Sequence, residues 1–230
     1  MYFRHAEVIW RDYPELVAGV LFADGVSRDA NVESLVGRYS EVARQRLGTG
    51  TESELPEIQA WRRAFSRMGL KPTQYRCASE ALLRRFRKEG ALPRIHPLID
   101  LCNAISLAYA IPIAVIDTAN VAGGIEVRHA TGSERYLAFS GEMEHPDAGE
   151  VIFADAEEQA HARRWTNRQS ALSGVRDSTA SVLIVTEAMH VGANDDVRRL
   201  LGDLTESLGE VWGVTPVHTV LAPETPVFEF

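Results

Sequence analysis

The stretch IHPLIDLCNAISLAYAIPIAVIDTANVAGGIEVR, residues 95–128, is the part of the chain around which we expect the fold to be built. Its first half places apolar side chains at helical spacing after Pro97, which suits a first helical turn because its missing N–H would have no partner there anyway. Pro112 pushes the residue before it out of the helical conformation, and the apolar run 113–116 that follows is typical of a buried strand. A glycine pair then begins a second strand, residues 125–128, in which apolar and charged residues alternate. We therefore expect a buried helix that leads into two strands.

Four polar residues stand out in this stretch: Asp100, Asn103, Asp117 and Arg128. Asp100 and Asn103 are three residues apart and share a helix face, whereas Asp117 and Arg128 lie at strand ends, where loops begin. The four could converge on one site. Equally, the two helix residues could bond to nearby backbone while Asp117 and Arg128 pair with each other, because buried polar groups need partners whatever their function.

The spacing of these residues resembles the B3/B4 (B3/4) domain, the editing module in the beta subunit of bacterial phenylalanyl-tRNA synthetase, and the free-standing B3/4-domain proteins. The pattern is Asp-x-x-Asn, a proline nine residues after the Asn, an Asp five residues later, and Gly-Ile-x-Val-Arg. The likeness covers residues 61–187 and includes the segments Arg67–Pro72 (RMGLKP) and Arg168–Thr179 (RQSALSGVRDST). It implies an α+β fold, with residues 1–230 forming a single compact B3/B4-like domain in which helices flank a mixed sheet.

The resemblance also implies a function. The family's pocket takes an aminoacyl group attached to the 3′ end of a tRNA, and the ester is hydrolysed when the amino acid is wrong. Such hydrolysis needs a positioned water, an oxyanion donor and exclusion of the correct amino acid. By position, Asn103 matches the family's pocket-lining Asn, and Asp117 and Arg128 match its framework residues. The family's His and Glu positions hold Ala114 and Ala171 here.

Other side chains must therefore act if the protein is an aminoacyl-tRNA deacylase that edits in trans. The catalytic candidates are His96, Arg168 and Gln169; the ordinary pKa of a histidine suits a base, although a lone His is also a common structural donor. The candidates for substrate binding are Tyr75, Arg76, Asn103, Asp117 and Trp165. The alternative is a non-catalytic module that binds tRNA, an amino acid or a similar metabolite in the same pocket. A complete synthetase does not fit in 230 residues.

The run His161–Ser170 (HARRWTNRQS) combines three arginines with Trp, Asn and Gln and has little apolar periodicity. This composition is typical of a functional loop or of a strand edge lined with polar groups. In the alternative interpretation, Trp165 anchors the core and the arginines lie on the surface.

Charge is unevenly distributed along the chain. The net charge of −8 argues against a protein that coats nucleic acid indiscriminately. Residues 62–94, however, hold ten Lys or Arg against two acids, a local charge of +8 that leaves −16 for the remainder. These basic side chains are either solvated helix faces or contacts to an RNA backbone. The candidates for backbone contact are Arg62, Arg63, Arg84, Arg85, Arg87 and Lys88.

The remaining elements also indicate an α+β protein. We expect helices at residues 32–47, 55–68, 79–89 and 195–208, strands at 7–10, 15–22, 150–153, 182–185 and 214–221, and a hairpin that joins 125–130 to 135–139. Cys77 and Cys102 lie in apolar surroundings without a Cys-x-x-Cys, which favours free core thiols. The seven histidines lack ligand spacing, so we expect neither metal nor cofactor. With no signal peptide or apolar span, we expect a cytoplasmic protein whose partner is tRNA.

Overall fold

The computed structural model describes all 230 residues and has an α+β secondary structure. The helices are α1 (Glu7–Asp12), α2 (Glu33–Leu47), α3 (Pro56–Arg67), α4 (Ala78–Glu89), α5 (Pro97–Tyr109) and α6 (Ala193–Trp212). The strands are β1 (Tyr2–His5), β2 (Val17–Asp24), β3 (Ile113–Asp117), β4 (Ile125–His129), β5 (Tyr136–Leu137), β6 (Met143–Glu144), β7 (Val151–Ala154), β8 (Ala160–Arg163), β9 (Arg168–Gln169), β10 (Ser181–Ala188), β11 (Val217–Leu221) and β12 (Val227–Glu229).

The strands form two main sheets. The larger sheet has the order β12-β1-β4-β7-β8-β9 and is antiparallel except for the parallel pair β1 and β4. The smaller sheet, β11-β2-β10-β3, is antiparallel throughout. Strands β5 and β6 pair only with each other. The mixed sheet expected from the sequence is therefore confirmed.

The stretch 95–128 connects the two sheets, as its central place in the sequence analysis suggested. Helix α5 begins at Pro97 and ends where Ala110 adopts a left-handed conformation, two residues before Pro112. Strand β3 follows and pairs with β10 in the smaller sheet. Strand β4 then enters the larger sheet between β1 and β7. The predicted order of a buried helix and two strands is confirmed.

The core is layered around the smaller sheet. Because successive strand residues point to opposite faces, Val182 and Ile184 of β10 pack with α2, α5 and α6, whereas Leu183 and Val185 face α3 and the larger sheet. Helix α6 approaches β2 closely at Gly19, where an added Cβ would lie 2.7 Å from a methyl group of Val197. The smaller sheet is thus covered on both faces.

Two sequence predictions about strands are wrong. Residues 7–10, expected as a strand, belong to helix α1. The hairpin expected from 125–130 and 135–139 does not form, because β4 pairs with β1 and β7 while β5 pairs with β6. Residues 7–10 are too few for their apolar pattern to distinguish a helix from a strand. For the hairpin, one of the strands that pair with β4 is β1, at the start of the chain, and local patterning carries no signal for such a distant partner.

The predicted free core thiols are confirmed. Cys77 and Cys102 are buried and form no disulfide. Burial raises the pKa of the Cys77 thiol to about 11 and that of Cys102 to about 12. None of the helices combines the length and the apolar character needed to cross a bilayer.

Candidate functional site

A small cavity of about 60 Å³ lies where the β8–β9 hairpin meets the adjoining ends of β3 and β10. We call it the hairpin cavity. Its apolar walls come from Pro112, Ile113, Ala114, Phe153, Ala162, Trp165 and Val185. Its polar members are Thr166, Asn167, Arg168, Gln169 and Glu187. The run 161–170 therefore supplies much of the lining.

The turn of this hairpin has an unusual backbone. Arg164 and Trp165 are consecutive non-glycine residues with φ values of +47° and +57°. The left-handed region costs an L-residue roughly 1–2 kcal/mol, because Cβ crowds the following carbonyl. The turn is held to the segment before α4, since Asn167 Nδ2 donates to the carbonyl of Arg76 at 2.7 Å and the amide of Ala78 donates to the carbonyl of Thr166 at 2.8 Å.

This turn sends Trp165 into the core, where its side chain is fully buried. The rings of Trp61 and Tyr13 meet it edge-on, with centroid distances of 5.2 and 4.8 Å. Its Nε1 donates to Oε1 of Glu187 at 3.0 Å. The core-anchor interpretation of Trp165 is therefore confirmed, and the same ring also lines the hairpin cavity.

Glu187 is the residue of this site that sequence reasoning missed. Glu187 is only 2% exposed. In addition to the bond from Trp165, its Oε1 lies 2.6 Å from Nε2 of His5. The other oxygen, Oε2, accepts no hydrogen bond from the protein. The available signal was an acid near the end of the apolar strand SVLIVTEA, since a glutamate is rarely buried without a partner.

Arg168 and Gln169, two of the catalytic candidates, line the hairpin cavity. Both Nη groups of Arg168 donate to Glu144, each at 2.9 Å, and its guanidinium lies over the ring of Tyr136. The hydrogen bond from Arg168 holds the pKa of Glu144 below its ordinary value. Gln169 donates from Nε2 to the carbonyl of Val115 at 2.5 Å, which fixes its side chain against β3. An oxyanion would therefore have to displace Glu144 to use the Nη groups of Arg168.

The remaining arginines of the run do not lie free on the surface. Arg163 is buried and forms ion pairs with Glu144 and Glu150 at 2.6 and 2.9 Å. The guanidinium of Arg164 lies over the ring of Tyr75, 4.8 Å from its centroid. These contacts correct the interpretation of the arginines as surface residues.

Tyr75 and Arg76 lie beside the hairpin turn without lining the cavity. Tyr75 contacts Arg164, and the carbonyl of Arg76 accepts the hydrogen bond from Asn167. The Arg76 guanidinium donates to the carbonyl of Thr73 at 2.7 Å and lies 3.5 Å from Glu80. The structure thus brings these two candidates close to Trp165, as a shared site requires.

His96 is placed elsewhere, as the N-cap of α5. Its Nδ1 accepts a hydrogen bond from the amide of Leu98 at 3.2 Å. Burial, with a smaller contribution from the positive charge of Arg28, lowers the pKa of His96 below its ordinary value. His96 does not line the hairpin cavity, so the structure gives no support to His96 as the base.

Asp117 and Asn103 are also separated from the hairpin cavity. Asp117 caps the short 3₁₀ turn Thr118–Asn120, accepting from the amide of Ala119 at 3.0 Å and from the hydroxyl of Thr179 at 2.7 Å. Asn103 lines a different cavity, of about 250 Å³, between α2, α4 and α5. The expectation that both border one concavity with Arg168 is wrong. The reason is strand length: Ile113 lies at the cavity, and four residues of extended chain carry Asp117 about 13 Å away.

The other two polar residues of the central stretch have local partners. Asp100 accepts from the amide of Ile95 at 2.9 Å and lines the same cavity as Asn103. Arg128 pairs with the buried carboxylate of Glu134. The predicted pairing of Arg128 with Asp117 is therefore wrong, whereas backbone bonding of Asp100 is confirmed.

Carboxylates neutralise much of the basic segment 62–94. Arg62 donates from Nε and Nη2 to the buried Glu80, at 3.2 and 2.5 Å. Arg84 and Arg87 both approach the buried Glu52, and Arg85 pairs with Glu89 at 2.9 Å. Arg63 and Lys88 are exposed and have no ion-pair partner. Of the six candidates for RNA contact, Arg62 is thus bound most firmly within the protein.

A buried chain of side chains has the order of a hydrolase triad. Nδ1 of His161 lies 2.8 Å from the hydroxyl of Ser173, and its Nε2 lies 3.2 Å from Asp155. Both Ser173 and His161 are fully buried, and neither lines the hairpin cavity. A nucleophile must reach its substrate, so this chain of contacts is structural.

One group of side chains has metal-ligand composition. Ligand atoms of Glu57, His190 and Asp196 lie within 4.8 Å of one another. Arg46 donates to Glu57 at 2.7 Å and Arg199 pairs with Asp196. The two guanidinium groups already compensate the carboxylates, so the arrangement is an ion-pair network.

Comparison with known protein families shows the family to which the chain belongs. A family model described as the B3/4 domain matches residues 60–201, and the chain belongs to the B3/4 domain family. All residues that line the hairpin cavity fall within the matched range. The resemblance drawn from the central stretch is therefore confirmed.

Two proteins with similar sequences are phenylalanine–tRNA ligase beta subunits. The chain is 24% identical to that of Shewanella oneidensis over 190 residues, 76% of this chain and 23% of the relative. It is also 24% identical to that of Bartonella henselae over 139 residues, 58% of this chain and 17% of the relative. The chain thus spans less than a quarter of the length of these relatives.

A solved structure supports the fold. The N-terminal fragment of the phenylalanyl-tRNA synthetase beta subunit from Pyrococcus horikoshii superposes with a TM-score of 0.50 at 11% identity. The match covers 96% of this chain and 54% of that one.

Proposed function

We propose that this protein binds the aminoacylated 3′ end of a tRNA at the hairpin cavity and hydrolyses mischarged aminoacyl-tRNA in trans. The observation that carries the proposal is the cavity itself, which sets a tethered amide and a buried carboxylate among apolar walls within the B3/4 region. Apolar walls with a few placed polar groups are typical of small-ligand sites. The relationship to phenylalanine–tRNA ligase beta subunits supports an aminoacyl-tRNA as the ligand.

Gln169 is the residue best placed to position the attacking water. Its Nε2 is held by the carbonyl of Val115, which leaves Oε1 as an acceptor for a water proton. The water oxygen adds to the ester carbonyl, the bond to the 3′ oxygen breaks, and the proton ends on the released hydroxyl. Holding water and ester together lowers the barrier by removing the entropy cost of their encounter.

Basic side chains of α4, the helix that begins at the cavity-lining residue Ala78, support a contact with the RNA backbone. Tyr75 and Arg76 connect the hairpin turn to α4, whose exposed face holds Arg84, Arg85 and Lys88. Arg63 on α3 adds an unpaired positive charge. Phosphates attract such clusters even where the net charge of the protein is negative, because local charge governs contact at short range.

The direct test is a deacylation screen with a panel of mischarged tRNAs. We expect at least one mischarged tRNA to lose its amino acid well above the rate in buffer, while its correctly charged counterpart stays intact. If every aminoacyl-tRNA decays at the buffer rate, hydrolysis in trans is wrong.

A non-catalytic binding module is the second candidate. Ala114 lines the cavity at the position where the family has its His, so no imidazole projects from that position. Both Nη groups of Arg168 are occupied by Glu144. Binding of aminoacyl-tRNA without deacylation, measured on the same panel, would establish this candidate.

A further inference from the structure

We propose that Glu187 selects the ligand of the hairpin cavity by anchoring a primary ammonium group, and that the aminoacyl side chain beside it is no larger than that of alanine or serine. This inference rests on the proposed function for the identity of the ligand as an aminoacyl group. Glu187 is the group that binds the ammonium, and the cavity volume limits the size of the aminoacyl side chain.

First, Glu187 has one carboxylate oxygen without a hydrogen-bond partner in the protein. The side chain is 98% buried, and Oε1 is occupied by Trp165 Nε1 and His5 Nε2. Oε2 accepts nothing from the protein, and neither Lys nor Arg pairs with this carboxylate. A buried carboxylate is normally satisfied by several donors, so Oε2 is the acceptor left for a ligand.

The second step concerns the charge of the His5–Glu187 pair. Nδ1 of His5 is buried and has no hydrogen-bond partner. A protonated His5 would leave an N–H at Nδ1 without an acceptor, whereas the neutral form with its proton on Nε2 leaves only an unused lone pair. Nε2–H of His5 therefore donates to Oε1 of Glu187, and no Lys or Arg side chain forms an ion pair with this carboxylate. A cationic ligand with N–H donors would supply the missing partner.

The third step is the chemistry around the carboxylate. Trp165 lines the cavity, and the face of an indole attracts a cation. The hydroxyl of Thr166, which lines the same cavity, is buried without a partner. The site thus offers an anion, an aromatic ring and an unused hydroxyl, which match an ammonium group next to an ester carbonyl.

Fourth, the volume of the hairpin cavity limits the side chain that it can hold. The hairpin cavity measures about 60 Å³. By comparison, an apolar cavity of about 150 Å³ holds one benzene molecule. A methyl or hydroxymethyl side chain fits the smaller space, whereas a benzyl side chain does not. The cavity therefore favours alanyl or seryl groups over phenylalanyl or tyrosyl groups.

Three small amides test both parts of the inference. L-Alaninamide reproduces the ammonium and the acyl carbon, lactamide replaces the ammonium with a hydroxyl, and L-phenylalaninamide enlarges the side chain. Dissociation constants come from NMR titration of the full chain. We expect L-alaninamide to bind at least ten times more tightly than either of the others.

Glu187→Gln should abolish the preference for L-alaninamide over lactamide. Glutamine keeps an acceptor for Trp165 Nε1 but removes the charge. The matched control is Glu57→Gln, which neutralises a buried carboxylate outside the cavity and should keep the preference. The comparison of three ligands on the unmodified protein stands even if Glu187→Gln fails to fold.

The outcomes separate this inference from the proposed function. Equal binding of L-alaninamide and lactamide overturns the ammonium anchor, as does a preference that survives Glu187→Gln. Tight binding of L-phenylalaninamide overturns the size limit. Hydrolysis of a mischarged tRNA by a protein without ammonium preference would defeat only the inference, whereas selective amide binding without any deacylation would support Glu187 and defeat hydrolysis.

Discussion

Gln169 carries the most direct prediction at the scale of single residues. Gln169→Ala removes the side chain that we assign to water positioning, so the deacylation rate should fall roughly 10- to 1000-fold, as on loss of one positioned polar group. The affinity for tRNA should change little, because the side chain reaches into the cavity and not toward the RNA backbone. Single-turnover deacylation and a filter-binding assay measure the two quantities.

The matched control is Gln45→Ala, whose amide donates only to Glu41 on the exposed face of α2. This variant should keep the full rate. If Gln169→Ala also keeps the full rate while tRNA is still hydrolysed, another group positions the water.

His96 should affect stability and not activity. His96→Ala leaves the buried amide of Leu98 without its acceptor, which should lower the free energy of unfolding by about 1–3 kcal/mol. Because burial lowers the pKa of His96 below its ordinary value of 6.5, the unfolded chain binds the proton more readily. The contribution of the cap is therefore complete above pH 6.5 and is lost as the pH falls through the lower, folded-state value.

Denaturant unfolding of both proteins between pH 5 and 8 measures this difference. A variant as stable as the unmodified protein but unable to deacylate would restore His96 as a catalytic base.

Residue chemistry was predictable where composition was unusual. Arg168, Gln169 and Trp165, which line the hairpin cavity, were singled out because they belong to a polar run with little apolar periodicity. Glu187 was missed since a single acid in an apolar strand becomes informative only when its neighbours are known, and His5 lies 182 residues away. Asp117 was misplaced because spacing along the chain does not show which end of β3 meets the hairpin cavity, and Asn103 because it does not show which elements pack against its face of α5.

At the scale of elements, the β7–β8 hairpin depends on Asp155. Burial raises the pKa of this carboxyl, but hydrogen bonds from His161 and from the amides of Ala122 and Gln159 outweigh it and lower the pKa from 3.8 to about 2. Stability from this group is therefore present above pH 3.8 and is lost as the pH falls through about 2.

Asp155→Asn should lower the free energy of unfolding by about 1–3 kcal/mol at pH 7, because an amide nitrogen cannot accept the bonds made by Oδ1 or Oδ2. The gap to the unmodified protein should narrow at pH 3. A gap that is the same at both pH values would contradict the assignment of the low pKa to Asp155.

Elements that are stabilised locally were predictable, and those that need distant partners were not. Helices α2 to α5 have apolar periodicity together with Pro97 at a start and Gly90 at a left-handed end. Strands β1 and β12 are short and pair with each other across the whole chain. The 7–10 segment was misjudged because four residues satisfy either period.

The whole molecule combines a net negative charge with one basic region. Replacing Arg84, Arg85 and Arg87 with Glu should weaken tRNA binding strongly and flatten its dependence on salt, because fewer counterions are released from the RNA. Affinities measured in 50 and 200 mM salt give the slope. The ion pairs with Glu52 and Glu89 are lost as well, so thermal unfolding must show that the variant remains folded.

A control with the same change in net charge places the three reversals elsewhere, at the exposed residues Arg11, Arg28 and Arg198. This control should bind tRNA with a salt slope close to that of the unmodified protein. Equal effects of the two triple variants would mean that total charge, and not the basic segment, governs the contact.

The left-handed turn at Arg164 and Trp165 costs stability, while it holds Trp165 in the wall of the hairpin cavity. Glycine at position 164 would relieve the crowded backbone, yet it would also remove the guanidinium that covers Tyr75 and free the loop that holds Trp165 in the wall of the hairpin cavity. In relatives from hot environments, a change that stabilises this turn would therefore also disturb the cavity wall. We expect them to gain their stability in other parts of the fold and to leave this costly turn unchanged.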